Sequence, residues 1–329
     1  DSSGLLRRFP SGKEELVRQV NSDVLASFDL KNERYLVIDN DRKLRISEFD
    51  FSTAHPSSAD KSVDVFKSVE WALLPGEVVS DQNGQKIYLA NGDENSQGRG
   101  ISSLGLSTGS LTSLWRPTAD ERVRTLVGPC DGSRLVVELN RIHPLQGEES
   151  NGRFAILDLN SLQETASFDC RLTYGKVLSP DGRWMAAQSG EGLHLADLDS
   201  ATIRTVFYKP KATITGFAFS PDNSELAVAF ADRAIRIVHT ASAKVIAEYS
   251  SQGCAASSIA WTADGKSLAT VGVDGYLRCW SRDLLQLTMV YRLPSRNLTQ
   301  LRFALGGDMA SILDRNGRMF VLRTQDQVR

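Results

Sequence analysis

Ser257 to Ser281 reads SSIAWTADGKSLATVGVDGYLRCWS. Three short β-rich runs stand in it. SSIAWT alternates small and apolar residues and ends at the turn Ala263-Asp264-Gly265. SLATVGV runs to a tight Asp274-Gly275 turn, and YLRCW follows at once. Val, Ile, Leu, Thr and Trp in short runs divided by Asp-Gly turns are the signature of antiparallel hairpins. A meander of this size cannot bury both faces alone, so it needs neighbours.

The rest of the chain supplies them as copies, and a fixed period is the first sign of a repeat architecture. The first apolar residue of each candidate second strand falls at Leu36, Ile87, Leu135, Met185, Leu226, Leu268 and Met309. The spacings are 51, 48, 50, 41, 42 and 41 residues. A turn cluster precedes each, such as Asn83-Gly84, Pro180-Asp181-Gly182 and Pro221-Asp222-Asn223, with a β-rich run before it and another after the second strand. Seven units result. A fourth, outer strand follows in most, as in LTSLW, QETASF, IRTVFY, KVIAEYS and LQLTMVY. The seventh unit lacks one, because the chain stops soon after its third strand. Glu14 to Val20, EELVRQV, has the same half-polar, β-rich look and precedes the first complete unit. Pairing it with the seventh unit would close a ring and leave no long exposed sheet edge.

The longer early units carry their extra length in connections: Phe51 to Ser62, Asn91 to Gly100 and Asn140 to Gly152. No low-complexity tract interrupts the series. Residues 11–329 are therefore read as a single domain, and residues 1–10 as a linker or an extra strand.

Leu268-Ala269-Thr270 through Asp274-Gly275 to Leu277-Arg278-Cys279-Trp280 resembles a WD40 repeat, and units four to seven share its period. The resemblance implies an all-β fold, a seven-bladed β-propeller of four-stranded antiparallel blades whose ring is closed by the N-terminal strand in the last blade. In that family an Asp in the turn after strand two, a Ser or Thr in strand two, a Trp ending strand three and a His before strand one share a buried network. Asp274, Thr270 and Trp280 match three of those places, and no His precedes Ser257. The Trp position becomes Val238, Leu322, Leu157 and Ala196 in other units. The turns Ser179-Pro180-Asp181-Gly182 and Ser220-Pro221-Asp222 also recur in propellers similar to TolB.

Bulk properties narrow the function classes. A net charge of −2 argues against a nucleic-acid-binding surface, and no apolar run approaches the length of a membrane span. The four cysteines (Cys130, Cys170, Cys254 and Cys279) show no metal or disulfide spacing, which points to thiols in a reducing, cytoplasmic setting. His55 and His143 precede prolines in long loops; His194 and His239 lie on third strands with no zinc-site spacing. No nucleophile elbow or phosphate loop is present, so no cofactor or metal is expected. Asp181, Asp222 and Asp264 occupy one repeat position and read as turn residues that bond their own backbone. Trp184 and Trp261 read as core; Trp71 and Trp115, which end outer strands or begin the following loops, are the better candidates for exposed aromatic anchors.

The connections from strand four to the next strand one share an end of each blade with the strand two–three turns. Trp71, Arg116, His143, Arg171, Lys209, Lys211 and Arg296 are the candidate partner-binding residues there, against Glu70, Asp120 and Asp169. A positive lean at that end would steer an acidic partner. The expected function is a non-catalytic interaction module for a protein or peptide, or for an upstream domain of the same chain, since the sequence opens without a Met. The alternatives are a lactonase-type hydrolase with a channel metal, using Asn91, Asp93 and Asn140, and a small-ligand or glycan-binding propeller.

Overall fold

The structure is a computed structural model that describes residues 5–8, 14–20, 24–30, 34–39, 44–48, 78–81, 85–92, 99–105, 108, 110–128, 133–141, 152–170, 173–250, 253–283, 285–303 and 309–323. All regular structure among them is β. Two strands come first, β1 (Leu5–Arg8) and β2 (Glu14–Val20). Sheet 1 is β3 (Val24–Leu30), β4 (Arg34–Asp39) and β5 (Leu44–Glu48); sheet 2 is β6 (Val78–Ser80), β7 (Lys86–Gly92), β8 (Arg99–Gly105) and β9 (Leu111–Trp115). Sheet 3 is β10 (Glu121–Val127), β11 (Arg134–Arg141), β12 (Gly152–Asp158) and β13 (Gln163–Cys170). Sheet 4 is β14 (Thr173–Leu178), β15 (Trp184–Ser189), β16 (Gly192–Asp197) and β17 (Thr202–Tyr208). Sheet 5 is β18 (Ile214–Phe219), β19 (Glu225–Phe230), β20 (Ala234–His239) and β21 (Lys244–Ser250). Sheet 6 is β22 (Ala256–Trp261), β23 (Ser267–Gly272), β24 (Tyr276–Ser281) and β25 (Gln286–Arg292); β26 (Leu298–Phe303), β27 (Met309–Asp314) and β28 (Met319–Arg323) belong to sheet 7.

Sheets 1 to 6 are antiparallel meanders in sequence order. Sheet 7 runs β1-β2-β28-β27-β26, with Val17 opposite Leu322 and Val20 opposite Met319. The N-terminal strand EELVRQV thus stands in the last sheet at the place the repeat pattern left empty. Part of the 1–10 segment is an extra strand, because β1 pairs with β2 as a fifth rung. The outermost rung is therefore β1, not β2. Seven successive meanders of this kind are the strand pattern of a seven-bladed β-propeller. The chain divides into two compact units, one with sheets 1, 5, 6 and 7, the other with sheets 2, 3 and 4.

Strand composition follows from position within a sheet. The second strands are buried in unbroken runs, as in β15 (WMAA), β19 (LAVAF) and β23 (LATVG); for β23 the reason is that sheets 5 and 7 pack on its two faces. The outer strands β9, β17 and β21 are mostly exposed, mixing polar residues with exposed apolar ones such as Leu111, Ile203, Val245 and Ile246. Within each unit the core lies between neighbouring sheets. Ala227, Ile235 and Tyr249 of sheet 5 pack with Ile259, Trp261 and Trp280 of sheet 6. Ala269, Val271 and Tyr291 of sheet 6 pack in turn with Leu298, Ile312 and Phe320 of sheet 7. In the other unit, Phe154 and Ile156 of sheet 3 meet Met185 and Ala196 of sheet 4.

The pairing register defines equivalent positions directly. Leu268 faces Trp280, Leu226 faces Val238, Met185 faces Ala196 and Leu135 faces Leu157. In sheet 7 the equivalent pair is Ala310–Leu322, since Phe303 faces Ala310 as Trp261 faces Leu268. In the last repeat the position equivalent to Leu268 is therefore Ala310 rather than Met309. A single residue matters here, because adjacent strand residues point to opposite faces. The first strands of six sheets also share a bulge near their start, at Val24/Ala26, Val123/Thr125, Thr173/Gly175, Ile214/Gly216, Ala256/Ser258 and Leu298/Gln300. At Ser257 the bulge frees a hydroxyl that donates to Val271 O at 3.1 Å and to Leu298 O of the next sheet.

The strands of sheets 2 and 3 reach further into the proposed insertions than the sequence suggested. Asn91 pairs with Gly100 and Gly92 with Arg99, and β11 runs to Arg141. The Phe51 to Ser62 connection lies outside the described residues.

Candidate partner-binding face

The first-to-second-strand turns are built alike in sheets 4, 5 and 6. Ser179, Ser220 and Thr262 donate their hydroxyls to Asp181, Asp222 and Asp264. The same hydroxyl oxygens accept the backbone N–H of Trp184 (2.8 Å), Glu225 (2.9 Å) and Ser267 (3.1 Å). Each Asp accepts a further backbone N–H two residues on, from Arg183, Ser224 and Lys266. The residue after each Asp is Gly182, Asn223 or Gly265, with φ of 69°, 66° and 68°. That left-handed conformation selects Gly or Asn. These carboxylates are engaged in their own turns. The hydroxyls hold Asp222 and Asp264 below the ordinary carboxylate range.

The residues expected in a buried network separate into two groups. Trp280 Nε1 donates to Thr270 Oγ1 at 3.1 Å, both residues being buried, and Tyr249 meets the indole edge-on at 6.2 Å. Asp274 turns elsewhere: Arg278 donates to both its oxygens, and Tyr276 N donates at 3.3 Å. Where the family resemblance leads one to look for a His ahead of strand one stands Cys254, whose thiol hydrogen-bonds to Asp274. Gly272 makes room for it, because a Cβ there would lie 2.5 Å from Cys254 Sγ. Burial pushes the Cys254 thiol above its usual value, and Asp274 adds to the shift. Burial also works to raise Asp274, but the Arg278 guanidinium and the Cys254 thiol hold it below the carboxylate range. Cys254 and Cys279 are both thiols rather than disulfide partners.

His194 is one of the residues lining a cleft between sheets 3 and 4, together with Phe154, Phe168, Met185 and Ala196. Its Nε2 is 2.8 Å from Ser189 Oγ and its Nδ1 is 3.2 Å from Thr205 Oγ1. Burial lowers its pKa, with Glu191 opposing. Asn140 Oδ1 is buried without a hydrogen-bond partner; the side chains of Asn91 and Asp93 lie outside the described residues. Among the described residues, no group of three or more His, Cys, Asp or Glu is placed to hold a metal ion. No helix among them is long and apolar enough to cross a membrane.

The candidate partner-binding residues fall in three places. Arg116, Lys209 and Lys211 are exposed on the β9–β10 and β17–β18 connections of one unit. Arg296 is exposed on the β25–β26 connection of the other. Trp71, His143 and Arg171 lie outside the described residues. Trp115 departs from expectation: it is half-buried and packs on the core between sheets 2 and 3, so its ring is a structural contact and not an exposed anchor. Trp184 and Trp261 are buried, and Trp261 Nε1 donates to Ala218 O of the preceding sheet at 3.1 Å. Beside Arg296 the structure brings three arginines that sequence reasoning missed. Arg292 ends β25, while Arg315 and Arg318 bracket the β27–β28 turn. Arg292 alone had a signal, as the second Arg flanking the short Leu293-Pro294-Ser295 loop; Arg315 and Arg318 had none.

Meanders of this strand pattern, with a Trp–Thr pair and hydroxyl–Asp turns, define a β-propeller of repeat type. Residues 185–264 match the anaphase-promoting complex subunit 4 WD40 domain. The matched stretch, about a quarter of the chain, spans β15 to the β22–β23 turn, and it supports assignment of the chain to the WD40-repeat family. No curated protein sequence matches the chain. WD40 domains generally serve as protein-interaction scaffolds and are generally non-catalytic.

Proposed function

We propose that this chain is a non-catalytic interaction module, which presents the loop-bearing ends of its blades to a protein or peptide partner or to another domain of the same protein. The observation that carries the reading is a division of labour among polar groups. The buried and turn groups are spent on the fold: Asp181, Asp222 and Asp264 on their turns, Thr270 on Trp280, and His194 on Ser189 and Thr205. The exposed groups on the fourth-to-first-strand connections include the cations Arg116, Lys209 and Lys211, with the acid Asp120 among them, in one unit and the cation Arg296 in the other. Cations at that end favour encounter with an acidic partner through complementary potential. A single propeller domain, the closed ring and a cytoplasmic setting belong to the same proposal.

The test is affinity capture with the intact chain and with an Arg171→Glu/Lys211→Glu variant of unchanged melting temperature. The expected result is one specific partner retained by the first and lost by the second. Turnover by the purified chain on a broad hydrolase panel would overturn the non-catalytic reading.

A further inference from the structure

We infer that Arg292, Arg296, Arg315 and Arg318, with the exposed Val273 and Pro294, form a docking site for a short acidic peptide segment carrying an aliphatic side chain. The inference rests on the interaction-module reading and deepens it, naming the site and the chemistry of its ligand.

The site begins with backbone. The β25–β26 connection is fastened to two turns at once. Leu293 N donates to Gly275 O at 2.9 Å and Asn297 N to Val273 O at 3.0 Å, which ties it to the β23–β24 turn. Arg315 N donates to Asn297 O at 2.9 Å, which ties it to the β27–β28 turn. Ser295 Oγ adds a bond to Asp314 Oδ2. Gly275, at φ 83°, lies so close to Ser295 O that no other residue fits there. Three loops are thereby locked into one surface, and a preordered surface loses little entropy on binding.

The charges on that surface do not cancel. Of its two acids one is paired with an arginine and the other is buried among neutral donors, so four exposed arginines outnumber a single uncompensated carboxylate. Asp274 is held by Arg278 through both oxygens. Asp314, 3% exposed, accepts from Ser295, from Asn316 N at 2.8 Å and from Arg318 N at 2.9 Å. Arg292, Arg296, Arg315 and Arg318 are all exposed. Among the described residues, none of the four makes an ion pair. Like charges gathered by fixed loops repel one another, and an anionic ligand relieves that repulsion. Arginine suits the purpose, because its planar fork grips a carboxylate through two parallel hydrogen bonds.

Shape and apolar character narrow the ligand further. Arg292, Leu293, Pro294, Ser295 and Arg296 line an open concavity. Val273, 55% exposed, stands beside it, its carbonyl bonded to Asn297. An aliphatic spot among arginines fits a peptide that alternates carboxylates with a Leu- or Val-like side chain. A single-stranded nucleic acid instead calls for aromatic stacking platforms and a broadly basic protein. The patch shows no aromatic ring among its members, and the chain's net charge is −2.

The experiment is fluorescence anisotropy of the full chain with a labelled peptide of Glu, Asp and Leu. A second peptide replaces Leu by Gly, and a single-stranded DNA oligonucleotide serves as the competing class. Wild-type protein is expected to bind the first peptide in a salt-sensitive way, and Arg296→Glu/Arg315→Glu is expected to weaken it about tenfold or more. Arg296→Gln/Arg315→Gln serves as a milder second variant should charge reversal disturb folding. Lys244→Glu, at the start of β21, should leave binding unchanged, and the Gly peptide should bind more weakly than the Leu peptide. No peptide binding by the wild type, equal binding by both arginine variants, or preference for the oligonucleotide would overturn the site. Repeating the affinity capture with Arg296→Glu/Arg315→Glu separates the two readings. A partner captured equally by this variant sinks the site alone, whereas no partner captured by either protein sinks the interaction module itself.

Discussion

At the scale of single residues, the Trp280–Thr270 pair shows what a buried polar contact requires. The indole N–H needs an acceptor once it leaves water, and Thr270 Oγ1 at 3.1 Å supplies it. Elsewhere the equivalent register positions hold Val238, Leu157 and Ala196, where the donor has been removed. Replacing a polar pair by apolar groups can be nearly neutral, while removing one member costs about 1–3 kcal/mol. Trp280→Phe is therefore expected to destabilise, and adding Thr270→Val is expected to restore part of the loss. Trp280→Ala should cost about 3–5 kcal/mol, since it also empties space beside Tyr249. Chemical denaturation of the single and double variants reads these differences directly. Strict additivity of Trp280→Phe and Thr270→Val would contradict the account. The Trp and Thr were legible in the sequence, but the partner of Asp274 was not. A Cys before strand one and an Arg four residues after the Asp carry no pattern that announces a hydrogen bond, and only the fold brings them together.

At the scale of the element, the repeated turn is the best-read feature of the chain. Its residue types follow from local chemistry: a hydroxyl, an Asp, then Gly or Asn at positive φ. Local chemistry is what a sequence displays. Asp264 illustrates its energetics. The Thr262 hydroxyl, opposed by burial and joined by Lys266 N, lowers its pKa in the folded state. A carboxyl whose folded pKa is depressed contributes stability above its unfolded value, and that contribution is lost as pH falls through the folded value. Asp264→Ala is thus expected to cost about 1 kcal/mol at neutral pH, with the gap to wild type closing below about pH 4. Melting temperatures of both proteins across that range are the measurement, and a pH-independent gap would reject the carboxylate's role. Register proved harder to read than turns. In the last repeat, Met309 and Ala310 are both apolar, and their order relative to the preceding Gly306-Gly307 does not say which one faces the core. Pairing of Phe303 with Ala310 decides it, and that is a long-range fact. The arginine site has the same character. Arg296 was visible as a loop cation, whereas Arg315 joins it through a backbone hydrogen bond to Asn297 that extends the β26–β27 pairing, a contact between residues far apart in sequence.

At the scale of the whole molecule, the informative contact joins the two ends of the chain. β2 pairs with β28 from Val17–Leu322 to Val20–Met319, and β1 lies outside it. Strand count alone foretold this, because five units read as having an outer strand of their own and the seventh did not. The β1 rung had no such signal, since GLLRRF reads equally as strand or linker. Removing residues 1–20 would strip two strands from sheet 7 and leave β28 with an unpaired edge of N–H and C=O groups. Such an edge is a template for pairing with another chain. In repeat architectures each unit is stabilised by its neighbours, so loss at one sheet is felt mainly by those beside it. Sheet 7 packs on sheet 6 through Leu298, Ile312 and Phe320 against Ala269, Val271 and Tyr291, and the damage should appear there. The truncated chain is therefore expected to melt at a lower temperature than the full chain, and to self-associate at concentrations where the full chain does not. Hydrogen exchange should quicken first in β27 and β28 and then in β23 to β25, leaving sheet 3 least affected. Equal melting temperatures, or loss of protection spread evenly over all sheets, would mean that the N-terminal strands decorate sheet 7 without holding it, and the proposed closure of the ring would fail with them.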